Sequence, residues 1–187
     1  YNGAALVAGG AYLTANEHSI DIYDPLLDQW RLPRLDMETR RHHPATTLLP
    51  DGRVLVIAGH DDSMSSGIRI QKATYVDPAN QFRLTEGQNA SGEVRGYHNV
   101  SLLLPDGRVL VGGGRTAGSS STSDEKATFR YYMPGYLFRP RPALTSAPTA
   151  LRYGQPSTIA YTGGATEAVL IGLGEANQQR AHLGGIG

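Results

Sequence analysis

The sequence predicts an all-β chain, built of propeller-type blades and followed by the start of a second, sandwich-type β domain. Three observations carry that expectation. A nine-residue segment returns unchanged at an offset of 55 residues, glycine clusters and tyrosine-bearing segments recur in step with it, and near residue 139 the repeat gives way to a different turn-rich pattern. Composition agrees: 23 glycines and 11 prolines against three phenylalanines and one tryptophan suit many short strands joined by tight turns.

The repeat is Leu48-Leu49-Pro50-Asp51-Gly52-Arg53-Val54-Leu55-Val56, which reappears as Leu103-Leu104-Pro105-Asp106-Gly107-Arg108-Val109-Leu110-Val111. Proline fixes φ and glycine accepts positive φ, so Pro-Asp-Gly is turn chemistry, and Arg-Val-Leu-Val is apolar enough for a buried strand. Each copy is a strand, a turn and a second strand. Small residues follow, Ala58-Gly59 and Gly112-Gly113-Gly114, with Val7-Ala8-Gly9-Gly10 marking the same place in an earlier unit. Glycine there permits close backbone approach.

A second marker lies downstream: Tyr23-Asp24-Pro25 with Trp30, Tyr75-Val76-Asp77-Pro78 with Phe82, and a third copy in Phe129-Arg130-Tyr131-Tyr132-Met133-Pro134. A glycine pair, a tyrosine strand and a later aromatic at a period near 50 form the kelch blade pattern, in which each blade is a four-stranded sheet. The expected blades span 1–38, 39–93 and 94–138. Three blades do not close a ring, because propellers use about four to eight. The remaining blades are expected from a longer protein, or, as the weaker alternative, from other copies of this chain. Both ends look abrupt, which points to a fragment.

From Arg139-Pro140-Arg141-Pro142, a stiff linker, the pattern changes. Residues 148–161 and 168–173 read as short strands, with turns at Gly154-Gln155-Pro156 and Gly163-Gly164. Residues 139–187 are expected to be the N-terminal part of an immunoglobulin-like domain, about half a sandwich by the usual size.

Seventeen basic and 17 acidic side chains cancel, which argues against a nucleic-acid partner or an acidic membrane surface. No apolar run reaches the roughly 18 residues of a membrane span. Without cysteine the chain holds neither disulfides nor thiolate metal sites.

Tyr97-His98 is a candidate metal pair, since imidazole suits copper, a phenolate can add a ligand, and a propeller gathers loops from several blades. The plainer reading has Tyr97 packing against a neighbouring blade and His98 capping a strand. His43 precedes His98 by 55 residues, so His42-His43 sits at the equivalent blade position. There His43 is either a further imidazole donor or ordinary repeat divergence. His60, Asp61 and Asp62 are expected in a solvated loop, His18 at the surface, and 118–123 in a flexible serine-rich loop. Asn89-Ala90-Ser91 and Asn99-Val100-Ser101 fit the glycosylation pattern, the first in a loop and the second on a strand.

The segment from Arg95-Gly96-Tyr97-His98-Asn99-Val100-Ser101 through Gly112-Gly113-Gly114 resembles the last blade of the galactose oxidase and glyoxal oxidase family. The likeness continues through Met133-Pro134-Gly135-Tyr136-Leu137-Phe138 into Arg139-Pro140-Arg141-Pro142, and Ala73-Thr74-Tyr75-Val76-Asp77-Pro78 resembles the preceding blade. It covers roughly residues 40 to 175. The resemblance implies a copper radical-type oxidase that converts an alcohol or aldehyde with dioxygen to give hydrogen peroxide, extracellular or at the cell surface. On that implication Tyr97 is the axial copper ligand and proton acceptor, His98 an equatorial ligand, His43 a further candidate ligand, and His42 a neighbour of the substrate pocket.

The chain departs from the family pattern in three places. It has no cysteine to cross-link a radical tyrosine. Residues 36–43 also resemble the segment that carries that tyrosine, a register on which His43 replaces it; the match through the next blade favours the penultimate-blade placement. Residues 170–180 resemble the segment bearing the C-terminal histidine, but the histidine is missing and His182 lies just beyond. These departures fit an alternative reading, a non-catalytic propeller for carbohydrate binding, adhesion or assembly. The isolated chain is expected to be inactive and metal-poor.

Overall fold

The computed structural model describes residues 3–9, 18–37, 39–60, 72–89, 93–115, 125–165, 168–170 and 181–183. Three antiparallel sheets follow one another along the chain. The first joins β1 (Ala5–Ala8), β2 (Ser19–Asp24), β3 (Gln29–Trp30) and β4 (Leu35–Asp36), with β2 pairing all three others. The second is a meander of β5 (Ala45–Leu48), β6 (Val54–Ile57), β7 (Lys72–Asp77) and β8 (Arg83–Asn89). The third joins β9 (Asn99–Leu103), β10 (Val109–Gly113) and β11 (Phe129–Tyr132). Among the described residues the only helical structure is two short 3-10 turns, Pro78–Asn80 and Gly135–Phe138. The expected all-β class is borne out.

The repeated segments fold identically. Leu48 pairs with Val54 and Leu103 with Val109, so the two hairpins share one register. Gly52 and Gly107 take φ of 92° and 88° in the turns, and Asp51 and Asp106 each bind the arginine two residues on at 2.6 Å. That arginine then lies over a tyrosine of the next strand, Arg53 at 4.2 Å from Tyr75 and Arg108 at 4.1 Å from Tyr131.

The second sheet is the middle layer, which explains why all four residues of β6 are buried. A strand has period two, so its sides separate. Val54 and Val56 pack with Ile20, Ile22 and Met37 of the first sheet, whereas Leu55 and Ile57 pack with Val109, Val111 and Tyr132 of the third. Each buried aliphatic side chain contributes about 1.5–3 kcal/mol. Single hydrogen bonds contribute about 1 kcal/mol, so the apolar layers hold the sheets together and the polar contacts set their register. Two such contacts cross to the third sheet: Thr47 Oγ1 to Ser101 Oγ at 2.5 Å and Tyr75 Oη to Tyr132 Oη at 2.9 Å.

Beyond the third sheet, β12 (Ala143–Ser146) pairs with β13 (Ala160–Thr162), and β14 (Ala168–Leu170) with β15 (Ala181–Leu183). The strand expected over 157–161 is paired only from Ala160, where β12 supplies a partner. Every described residue from 139 to 164 is exposed, so this part adds nothing buried to the core. The residues expected as the serine-rich loop, Asp61 and Asp62, and most of 170–180 lie outside the described residues.

Candidate functional site

Two buried arginines prepare the site. Arg41 and Arg95 are each 1% exposed. Arg41 donates from Nη1 to the Ala58 carbonyl at 3.0 Å and from Nη2 to the Lys72 carbonyl at 2.5 Å. Arg95 donates from Nη1 to the Gly113 and Thr128 carbonyls at 2.8 and 2.9 Å. These are matching positions, because Ala58 and Gly113 end the central strands β6 and β10 with φ of 60° and 63°. A backbone leaving a sheet in a left-handed conformation orphans its carbonyls, and the guanidinium fork supplies the missing donors. Burial pushes the Arg41 pKa down to about 10, so it stays charged at neutral pH. Neither arginine was singled out from sequence, although each stands just before the His42-His43 or Tyr97-His98 pair.

The residues after the arginines repeat a second backbone feature. His43 has φ of 50° and His98 φ of 65°, left-handed values that cost a non-glycine residue about 1–2 kcal/mol. Strain recurring at equivalent positions signals a constrained loop. The residue before each is paired to the strand exit: His42 and His60 exchange backbone hydrogen bonds at 2.7 and 3.1 Å, and the Arg115 N–H donates to the Tyr97 carbonyl at 3.1 Å.

The rings form one continuous cluster. His42 stacks on His60 with centroids 5.2 Å apart, and His60 lies 5.7 Å from His43. His43 meets Tyr97 edge-on at 5.0 Å, and Tyr97 stacks with His98 at 3.6 Å. The second and third sheets thus bring together His42, His43, Tyr97 and His98 at their shared end, with His43, Tyr97 and His98 exposed and His42 buried beneath His60. The expectation that His60 sits in a solvated loop is corrected: it is 6% exposed. Its ring is accommodated by Gly96, where an added Cβ would come within 2.5 Å of the His60 Cδ2. His18 pairs with Asp36 at 2.9 Å, away from this cluster.

Asn99 ties the two sheets at this end. Its amide donates to the His43 carbonyl at 2.7 Å and to the Gly96 carbonyl at 2.5 Å. Those bonds commit the nitrogen a glycan would need. Asn89, at the exposed end of β8, carries no such bonds among the described residues.

Burial pushes the His43 pKa below its ordinary value, and the neighbouring imidazoles of His60, His42 and His98 push the same way. A neutral imidazole keeps a lone pair for a metal or a proton donor. Two imidazoles and a phenol are a donor set suited to copper. Convergence is incomplete: among the described residues no three His, Cys, Asp or Glu side chains are placed to hold a metal ion. The donor chemistry fits, and a full coordination shell would need ligands from elsewhere. His182 lies on β15, paired with Val169. No described helix is long and apolar enough to cross a membrane.

The fold and this cluster define a protein of packed β sheets with an imidazole and phenol site at the end of two adjoining sheets. No protein-family profile matches the chain. A galactose oxidase of Gibberella zeae is 33% identical over 145 residues, covering 70% of this chain and 20% of that protein. Aldehyde oxidase GLOX1 of Arabidopsis thaliana is 30% identical over 133 residues, covering 64% and 22%. A solved fungal alcohol oxidase of the AA5 family, in complex with copper, superposes with a TM-score of 0.68 at 22% identity over 90% of this chain and 37% of its own. The chain is homologous to the galactose oxidase and glyoxal oxidase family, and it spans about a fifth of the length of the relatives it matches by sequence.

Proposed function

We propose that this chain is the C-terminal part of a copper-dependent oxidase that converts an alcohol or aldehyde with dioxygen, RCH2OH + O2 giving RCHO + H2O2 in the alcohol case. The observation that carries the reading is the ring cluster in which Tyr97 touches both His98 and His43 across two sheets. In this reading Tyr97 and His98 are copper ligands, His43 is a third donor from the neighbouring blade, and the rest of the shell comes from elsewhere in the complete protein.

Bound copper would supply a one-electron redox centre and a Lewis acid. Tyr97, exposed at its oxygen-bearing end of the cluster, accepts the proton of the substrate hydroxyl. His43, kept neutral by burial and by its imidazole neighbours, stays available at neutral pH. Arg41, Arg95 and Asn99 hold the two loops in register. His42 backs His60 behind the substrate-facing side.

The same reading assigns blades to 1–38, 39–93 and 94–138, an immunoglobulin-like domain beginning at 139, and a place outside the cell or on its surface. The incomplete convergence of donors favours a second reading, a non-catalytic propeller that binds carbohydrate or serves in adhesion or assembly.

The test is peroxide production by the complete protein from primary alcohols and aldehydes. Activity that falls about 10²–10⁴-fold in Tyr97→Phe, the range for losing a proton-transfer group, supports the oxidase. A complete, copper-loaded protein that makes no peroxide supports the non-catalytic reading instead.

A further inference from the structure

Arg115 occupies in the third sheet the place that His60 occupies in the second, directly after the glycines that end the central strand. Its backbone is fixed on both sides: the N–H donates to the Tyr97 carbonyl at 3.1 Å and the carbonyl accepts from the Gly96 N–H at 3.1 Å. Its guanidinium carbon lies 4.7 Å from the centroid of the Tyr97 ring. A guanidinium that uses its face for an aromatic ring keeps its N–H edge for in-plane, bidentate recognition of an anion.

That edge has no carboxylate partner among the described residues. Glu125 stands opposite Arg115 in an isolated backbone bridge but forms no ion pair with it. The contrast within the chain is sharp, because Arg31, Arg34, Arg53, Arg95 and Arg108 each have a carboxylate oxygen within 3.1 Å. Arg115 is half-buried, and the rings that continue from Tyr97 are His98 and His43, so the groups around the guanidinium are neutral or cationic. Together they make a positive, hydrogen-bond-donating mouth without an anion of its own.

We infer that Arg115 anchors the carboxylate of a small-molecule ligand at this site, making 2-hydroxy acids its favoured substrate class. The inference rests on the oxidase reading for the reaction, though not for the binding. The carboxylate seats in the plane of the guanidinium and leaves the neighbouring carbon and its hydroxyl toward Tyr97, His98 and His43. Oxidation there converts glycolate and dioxygen to glyoxylate and hydrogen peroxide: the hydroxyl proton and one hydrogen of the carbinol carbon leave with two electrons, and dioxygen takes up both.

The experiment compares glycolate with ethylene glycol, a neutral alcohol of the same carbon count, in the complete protein and in Arg115→Gln and Arg115→Lys. The glutamine variant is expected to lose about tenfold or more in kcat/KM for glycolate, chiefly through KM, while ethylene glycol changes less than about twofold. Lysine keeps the charge without the fork and should fall between. Equal losses for both substrates, or none for glycolate, overturn the anchor. Acetate binding, followed by calorimetry, separates this inference from the oxidase reading. Acetate held by the parent protein and weakened about tenfold in Arg115→Gln supports the anchor even where no peroxide forms, and acetate bound equally by both, or by neither, overturns it.

Discussion

In the second sheet the residue before the left-handed histidine is His42, and it stacks on His60; in the third it is Tyr97, and it lies under Arg115. The backbone is the same in both. The same arginine clamp, the same glycine-rich strand exit and the same pairing of loop to strand recur 55 residues apart. Chemistry differs because the surroundings differ. The third sheet closes over the second through Gly96, so His42 and His60 are buried, whereas Tyr97 is 36% exposed and His98 also faces solvent. A repeated scaffold therefore presents one packed pair and one open pair, and the open pair is the one that can meet a ligand.

The largest effect that can break this comparison is loss of the clamp. Arg41→Leu and Arg95→Leu each leave buried carbonyls without donors and should cost about 3 kcal/mol or more in chemical denaturation of the complete protein. Similar losses would sharpen the equivalence of the two sheets. A cost below about 1 kcal/mol for either would show that its clamp is incidental.

A smaller effect separates the strand exits. Gly59 and Gly114 have φ of 87° and 85°, so alanine is strained at both, by about 1–3 kcal/mol. At Gly59 an added Cβ would also stand 2.7 Å from the His42 carbonyl oxygen, against 3.0 Å to the Arg95 Cα at Gly114. Gly59→Ala should therefore be the more destabilising, and thermal unfolding that ranks them in reverse would contradict the packed-versus-open distinction.

The smallest effect lies at the layer between the sheets. Tyr75→Phe removes the hydrogen bond to Tyr132 and should cost about 1 kcal/mol. Burial first, then the Tyr132 hydroxyl, raises the Tyr75 pKa above its ordinary value of 10. A raised folded-state pKa means that the stabilisation is fully present below pH 10 and is lost as pH climbs past it toward the folded value. Stability of the parent should fall above pH 10 more steeply than that of Tyr75→Phe, as denaturation midpoints across alkaline pH would show.

The hairpins were legible because Pro-Asp-Gly and the Val-Leu-Val run encode turn and strand within nine residues, and the glycine clusters because close backbone approach leaves no room for a side chain. Tyr97, His98 and His43 were legible as candidates because they share a blade position. Arg41, Arg95 and the burial of His60 were not, since arginine and histidine ordinarily face water and these are enclosed only when a distant strand supplies carbonyls or a glycine supplies space. Beyond Arg139 the repeat no longer guides the reading, so strand limits there follow pairing with β12 rather than local composition.

The central claim is that adjoining blades deliver His43, Tyr97 and His98 to one metal-binding point. Its most direct measurement is electron paramagnetic resonance of the complete protein titrated with Cu(II), comparing His98→Ala and His43→Ala with His18→Ala as a control. The account predicts nitrogen hyperfine structure in the parent, loss of one coupled nitrogen with each of the first two variants, and affinity lowered by more than the 10–100-fold typical of removing an outer-shell partner. It predicts no change for His18, which pairs with Asp36 away from the cluster. Copper bound with unchanged hyperfine structure in both His98→Ala and His43→Ala would contradict it.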